Sequence, residues 1–192
     1  MIFNSVPWKR ELSANASRLE LASRQEWTEE AAFLVEQDIM IGCYAIRKLL
    51  ESPGKISDEA RGTSWPVSIF PLKDRAPDFW DAYDFFEYYD FEGSTSGSVG
   101  LEQLCNQVIH SRIFTTCVDE DSGNMNGILV TSDKGSSKQI YHADLDVVIR
   151  AFRAVSDDDV VHLVMKRKAD GVRHVVKASN SRSSFLPNLN DV

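Results

Sequence analysis

Along residues 28–51, Ala32, Val35, Ile39, Gly42, Ile46 and Leu49 follow one another at steps of three and four. That is the period of a single helix face, so the segment is predicted as a long amphipathic helix with a continuous packing seam. Thr28 stands where a cap belongs, Glu29 and Glu30 sit at the positive end of the helix dipole, and Pro53-Gly54 stops the run. Residues 6–24 show the same period through Trp8, Leu12, Ala16, Leu19 and Ala22, with Pro7 in the first turn. The two helices are expected to form an antiparallel hairpin, and Gly42 in the seam permits close helix approach.

A turn-rich stretch over 53–78 holds one short extended piece, Val67–Leu72, and the Gly/Ser run Gly93–Gly100 reads as a flexible joint. A third helix is predicted over 99–111, with Leu101, Leu104, Cys105 and Val108 on its apolar face. The period then changes to two. Arg112–Val118 and Gly127–Ser132 read as paired strands around the polar turn Asp119–Asn126, and Lys138–Tyr141 as a further short strand. Asp144 opens a helix to about Val155. Val160–Lys168 and Val172–Ala178 form a hairpin around Asp170-Gly171, a strong two-residue turn signal.

Helices first, then strands with one inserted helix, predict an α+β fold: an N-terminal helical hairpin and further helices packed on an antiparallel sheet of four or five strands. The expected organisation is a single domain over 1–178, helical through 111 and mainly strand over 112–178, followed by a polar tail, 179–192.

Composition narrows the function classes. The chain has 192 residues, 43% of them hydrophobic and 26% charged, which is ordinary for a globular protein. Its formal charge is −8, which disfavours general binding to nucleic acid or to anionic membrane surfaces. The charge is uneven. Asp74, Asp78, Asp81, Asp84, Glu87, Asp90 and Glu92 stand against Arg75 alone, whereas Lys166, Arg167, Lys168, Arg173, Lys177 and Arg182 stand against Asp170 alone. The three cysteines, Cys43, Cys105 and Cys117, are odd in number and form no C-x-x-C pair, which argues against a disulfide framework or a cysteine-rich zinc site and for a reducing, cytoplasmic setting. The N-terminal stretch has no apolar core of a signal peptide, and no run of about 18 apolar residues exists. No cofactor or metal is implied: His142, His162 and His174 are scattered, and the Asp119–Gly127 turn fails the EF-hand pattern.

Two constellations carry chemistry. Asn106 and His110 lie four apart on the third helix and so share a face, and Arg112 follows closely. An imidazole beside an amide can do acid/base work near neutral pH, and the guanidinium can hold a phosphate. A His near an Arg on a helix, within a helical bundle, resembles the HEPN group of bacterial ribonucleases and toxins. The resemblance implies an RNA-cleaving enzyme with His110 as acid/base, Asn106 as orienter and Arg112 on phosphate. The HEPN motif is Arg, four to six residues, then His on one helix, and no Arg precedes His110 at that spacing. Arg167 and His174 do have it, but across a predicted β-hairpin.

The second constellation is aromatic and acidic. Residues 79–91 hold eight of the 19 aromatics, and Asp78, Asp81, Asp84, Glu87 and Asp90 recur between them every three residues. That period fits neither a helix nor a strand over this length, so one or two turns plus an irregular stretch are expected. Tyr, Trp and Phe dominate binding hot spots, which makes Phe79, Trp80, Tyr83, Phe86, Tyr88 and Tyr89 the candidate partner-binding residues. The alternative for this segment is a lid that closes the core. The Gly93–Gly100 run before a helix lacks the strand and lysine of a phosphate loop, and the basic residues of 166–177 serve as well to protect an edge strand. The sequence therefore points to a module that binds another protein without chemistry of its own. The competing classes are the RNA-acting enzyme and a small-ligand sensor with a pocket between the helical hairpin and the sheet.

Overall fold

The two predicted helical seams close on one another. In the computed structural model, which describes residues 2–78, 80, 81 and 84–181, α1 spans Val6–Ala22 and α2 spans Glu29–Leu50. The Thr28 hydroxyl accepts from the Ala31 amide at 3.1 Å and fixes the start of α2. Between the helices Arg18 forks onto Asp38 at 2.7 Å, and Asn15 donates to the Asp38 carbonyl at 3.1 Å. Gly42 lies at the closest approach of α2 to the ring of Phe152, where a Cβ would overlap Cε2 and Cζ.

A short helix α3 (Asp58–Arg61) leads into β1 (Ser64–Pro71). There follow β2 (Thr95–Gly100), α4 (Leu101–Ile109), β3 (Ser111–Val118), β4 (Met125–Ser132), β5 (Gln139–Asp144), α5 (Leu145–Ser156), β6 (His162–Arg167) and β7 (Arg173–Ser179). Five strands form one antiparallel sheet in the order β2-β1-β5-β4-β3, and β6-β7 form a separate hairpin. The fold is α+β, as the order of periods predicts.

Three expectations are corrected. The Gly/Ser run is an edge strand and not a joint: Thr95–Gly100 pairs with β1, with Val99 buried opposite Trp65. Its glycine serves packing, because a Cβ on Gly97 would lie 2.5 Å from Cδ1 of Ile69. The helical half through 111 therefore contributes two strands of the sheet, and α4 begins only after β2 ends. The polar tail does not begin at 179 either, since Ser179 closes β7, is buried and donates to Glu59 at 2.6 Å.

Alternation along the strands divides the core between the two sheet faces. Trp65, Val67, Ile128, Val130, Tyr141 and Ala143 join the helices in the larger cluster, where α4 and α5 lie against the sheet, α1 packs on α5 and α2 on α4. Ile113, Leu129 and Ile140 face the other way and are covered by Phe85 and Tyr89. A buried carboxylate ties the chain's distant parts. Asp158 accepts from the Ser57 amide at 2.8 Å, the Ser57 hydroxyl at 2.5 Å and Asn180 at 3.1 Å, with Lys9 at 3.6 Å. Among the described residues no helix is long and apolar enough to cross a membrane.

Candidate protein-binding surface

The aromatic–acidic segment is a loop pinned at its base. After Pro71 ends β1, the Lys73 amide donates to the Tyr88 carbonyl and the Asp90 amide to the Pro71 carbonyl, both at 2.9 Å, with Leu72 and Tyr89 in an isolated bridge. A 3-10 helix over Phe85–Tyr88 supplies a regular turn. The turn drops Phe85 and Tyr89 onto the sheet face opposite the helices. The Tyr89 hydroxyl donates to the Ser136 carbonyl at 2.9 Å, and burial pushes the phenol up to about 12. Phe70, Phe85, Phe86 and Phe91 pack as a ring cluster with centroids 4.3–6.5 Å apart.

Arg75 locks the far side of the loop. Its guanidinium meets Asp81 at 2.8 Å and the Tyr88 hydroxyl at 2.9 Å, and lies 4.9 Å from the centre of the Tyr88 ring. The Asp81 carboxyl is held below the usual carboxylate range, first by the Asp78 amide and then by Tyr88 and Arg75. Asp78 accepts from the amides of Trp80 and Asp81 at 2.8 and 3.0 Å. Asp74, Asp78, Asp84, Glu87 and Glu92 remain exposed.

The six aromatic candidates therefore have different fates. Trp80 and Phe86 stand 78% and 56% exposed, and Tyr88 is half-buried beside Arg75. Tyr89 is fully buried and offers no surface to a partner, because it lies in the cluster with Ile113, Leu129 and Ile140. Phe79 and Tyr83 lie outside the described residues. The segment joins the two readings that the sequence left apart: its buried rings close the core, and the closure holds two exposed rings among carboxylates.

The catalytic candidates sit elsewhere and are not joined. His110 is the exposed C-cap of α4, its amide donating to the Asn106 carbonyl at 3.2 Å and its carbonyl accepting from Asp133 at 3.0 Å. Among the described residues no hydrogen bond links the side chains of Asn106, His110 and Arg112, and the Arg112 guanidinium turns to Asp133 at 3.7 Å. Arg167 and His174 fall on β6 and β7, with Arg167 donating to the Gly171 carbonyl at 3.0 Å across the hairpin turn. In the Asp119 loop the carboxylate accepts from the Ser122 amide and hydroxyl at 2.9 and 2.8 Å. Among the described residues no group of His, Cys, Asp and Glu is arranged to hold a metal.

The sequence reading missed one surface. A groove of about 650 Å3 runs between α1 and α2, lined by Leu21, Glu30, Leu34, Gln37 and Ile41. Its signal was available: a second set of positions at steps of three and four, displaced around α2 from the buried seam. Comparison of the chain with protein-family models, with curated proteins and with solved structures finds no match in any of the three.

Proposed function

We propose that the protein acts by binding another protein, through the loop of residues 72–90, and that the segment it accepts is basic with an apolar anchor. The observation that carries this reading is the exposure of Trp80 and Phe86 on a loop that buries Phe85 and Tyr89 against the sheet. Exposed aromatics held in place lose little conformational freedom on docking, which is why such residues concentrate binding energy. The surrounding carboxylates select the partner's charge. Five of them are exposed, and the guanidinium within the loop is already engaged by Asp81. Phosphates are repelled by the same field, which separates this reading from nucleic-acid binding.

The test is selection of displayed random peptides on the intact protein, repeated on the Trp80→Ala/Phe86→Ala variant. Enriched peptides are expected to carry Lys or Arg beside an aromatic or aliphatic residue, to bind more weakly as salt rises, and to lose binding to the variant. Absence of enrichment, or enrichment equal on both proteins, overturns the proposal.

A further inference from the structure

α2 carries two seams. The inner one, through Val35, Ile39, Gly42, Ile46 and Leu49, is buried. The outer one runs through Glu30, Leu34, Gln37, Ile41, Tyr44 and Lys48, at spacings of 4, 3, 4, 3 and 4. At 3.6 residues per turn these six side chains fall within about 80° of arc, a stripe of the kind that packs on another helix. Leu34, Ile41 and Tyr44 are each half exposed, with Phe33 exposed at the stripe's edge and Leu21 of α1 exposed across the groove. The stripe is acidic at one end and basic at the other. Glu30 has no cationic partner among the described residues, and Lys48 lies over the Tyr44 ring beside Glu51.

The positions on this stripe are self-complementary. Glu30 and Lys48, Leu34 and Tyr44, and Gln37 and Ile41 are each centred on residue 39. An isologous interface demands this: residue i of one copy meets j of the other, and j meets i. We propose that the outer stripe of α2 is the interface of a homodimer. In it two copies of α2 pack antiparallel about a two-fold axis at the level of Ile39, Glu30 of each opposite Lys48 of the other and Leu34 opposite Tyr44. The groove beside the stripe receives the apolar side chains of the second copy. Such spacing is common to helix stripes; what selects a second copy is the opposite charge of Glu30 and Lys48 and the apolar match of Leu34 and Tyr44 across that midpoint. The interface lies on the helical layer and leaves the 72–90 loop free, so it stands independently of the binding function proposed above.

The experiment is the mass in solution of the full chain, by light scattering after gel filtration and by sedimentation, from about 1 to about 100 µM, where interfaces of modest size associate. The wild type is expected to run as a dimer in the upper part of that range. Ile41→Glu, at an exposed position that leaves the core intact, is expected to be monomeric with unchanged circular dichroism. Glu30→Lys and Lys48→Glu should each raise the dissociation constant roughly tenfold, because each reversal occurs twice across the axis. The double variant Glu30→Lys/Lys48→Glu should restore wild-type association. A monomeric wild type at every concentration would leave the stripe to some other partner and overturn the proposal. So would a dimer that survives Ile41→Glu, one that the double charge swap does not restore, or one that Trp80→Ala/Phe86→Ala abolishes.

Discussion

Replacing Gly42 with alanine sets two physical effects against each other. In the interior of a helix the change should stabilise by about 1 kcal/mol, since alanine is the better helix former. The structure opposes this. The new methyl would overlap Cε2 and Cζ of Phe152, a ring 1% exposed and enclosed by the helical core. Overpacking of a closed core costs about 1–3 kcal/mol, and a direct overlap with a ring that cannot swing into solvent belongs at the upper end. The net expectation is a loss of about 2 kcal/mol, or about 4–8 °C in melting temperature for a chain of this length. Thermal and urea unfolding followed by circular dichroism measure it. A second variant isolates the cause: Phe152→Leu retracts the ring, so in Gly42→Ala/Phe152→Leu the two losses should fall short of additivity by about 1–2 kcal/mol. A melting temperature that stays level or rises in Gly42→Ala, or strict additivity in the double variant, would refute the packing argument and leave helix propensity in charge.

Asp158→Ala strips the partner from Ser57, Asn180 and Lys9 at a buried position, and urea unfolding should show a loss of about 3–5 kcal/mol, against under 1 if the network were solvated. Burial holds the His142 imidazole below its ordinary pKa, with Asp144 opposing, so the native state favours the neutral ring. Its contribution is present above the unfolded value of about 6.5 and is lost as pH falls through the lower folded value; His142→Gln should flatten the stability profile between about pH 7 and 5. Burial pushes the Cys117 thiol up to about 11, and contact with Cys105 together with burial raises Cys43, so a disulfide reagent at pH 8 should find no fast thiol until guanidinium unfolds the chain. Exposed His110 makes no side-chain hydrogen bond among the described residues, so His110→Ala should move stability by less than about 0.5 kcal/mol; RNA cleavage by the wild type that this variant lost would instead restore the catalytic reading of Asn106, His110 and Arg112.

Periodicity made most of the elements legible. The seams of α1 and α2, the apolar face of α4, the strand over 127–132 and the Asp170-Gly171 hairpin all carry their structure in local spacing. β2 does not, because Thr95–Gly100 has almost no apolar side chains, and what makes it a strand is a partner thirty residues earlier together with the room that Gly97 leaves for Ile69. The aromatic segment was legible as a surface or a lid, and the spacing could not divide it, since Phe85 and Phe86 are adjacent and the 3-10 turn alone decides which is buried. The outer stripe of α2 was present in the spacing but shadowed by the stronger inner seam on the same helix.

The order β2-β1-β5-β4-β3 has a consequence for how the chain is made. β5 is the strand that joins β1 to β4, and it lies about seventy residues after β1 in sequence. α1 packs chiefly on α5, more than a hundred residues later in sequence. Until residues 139–156 emerge, the apolar seam of α1 has only α2 to pack on and the inner edge of β1 has no native partner. Folding of the core must wait for these residues and then close long loops, which places it among slow, high-contact-order reactions. During that interval the nascent chain displays unburied aliphatic surface, the condition under which a general chaperone engages a protein.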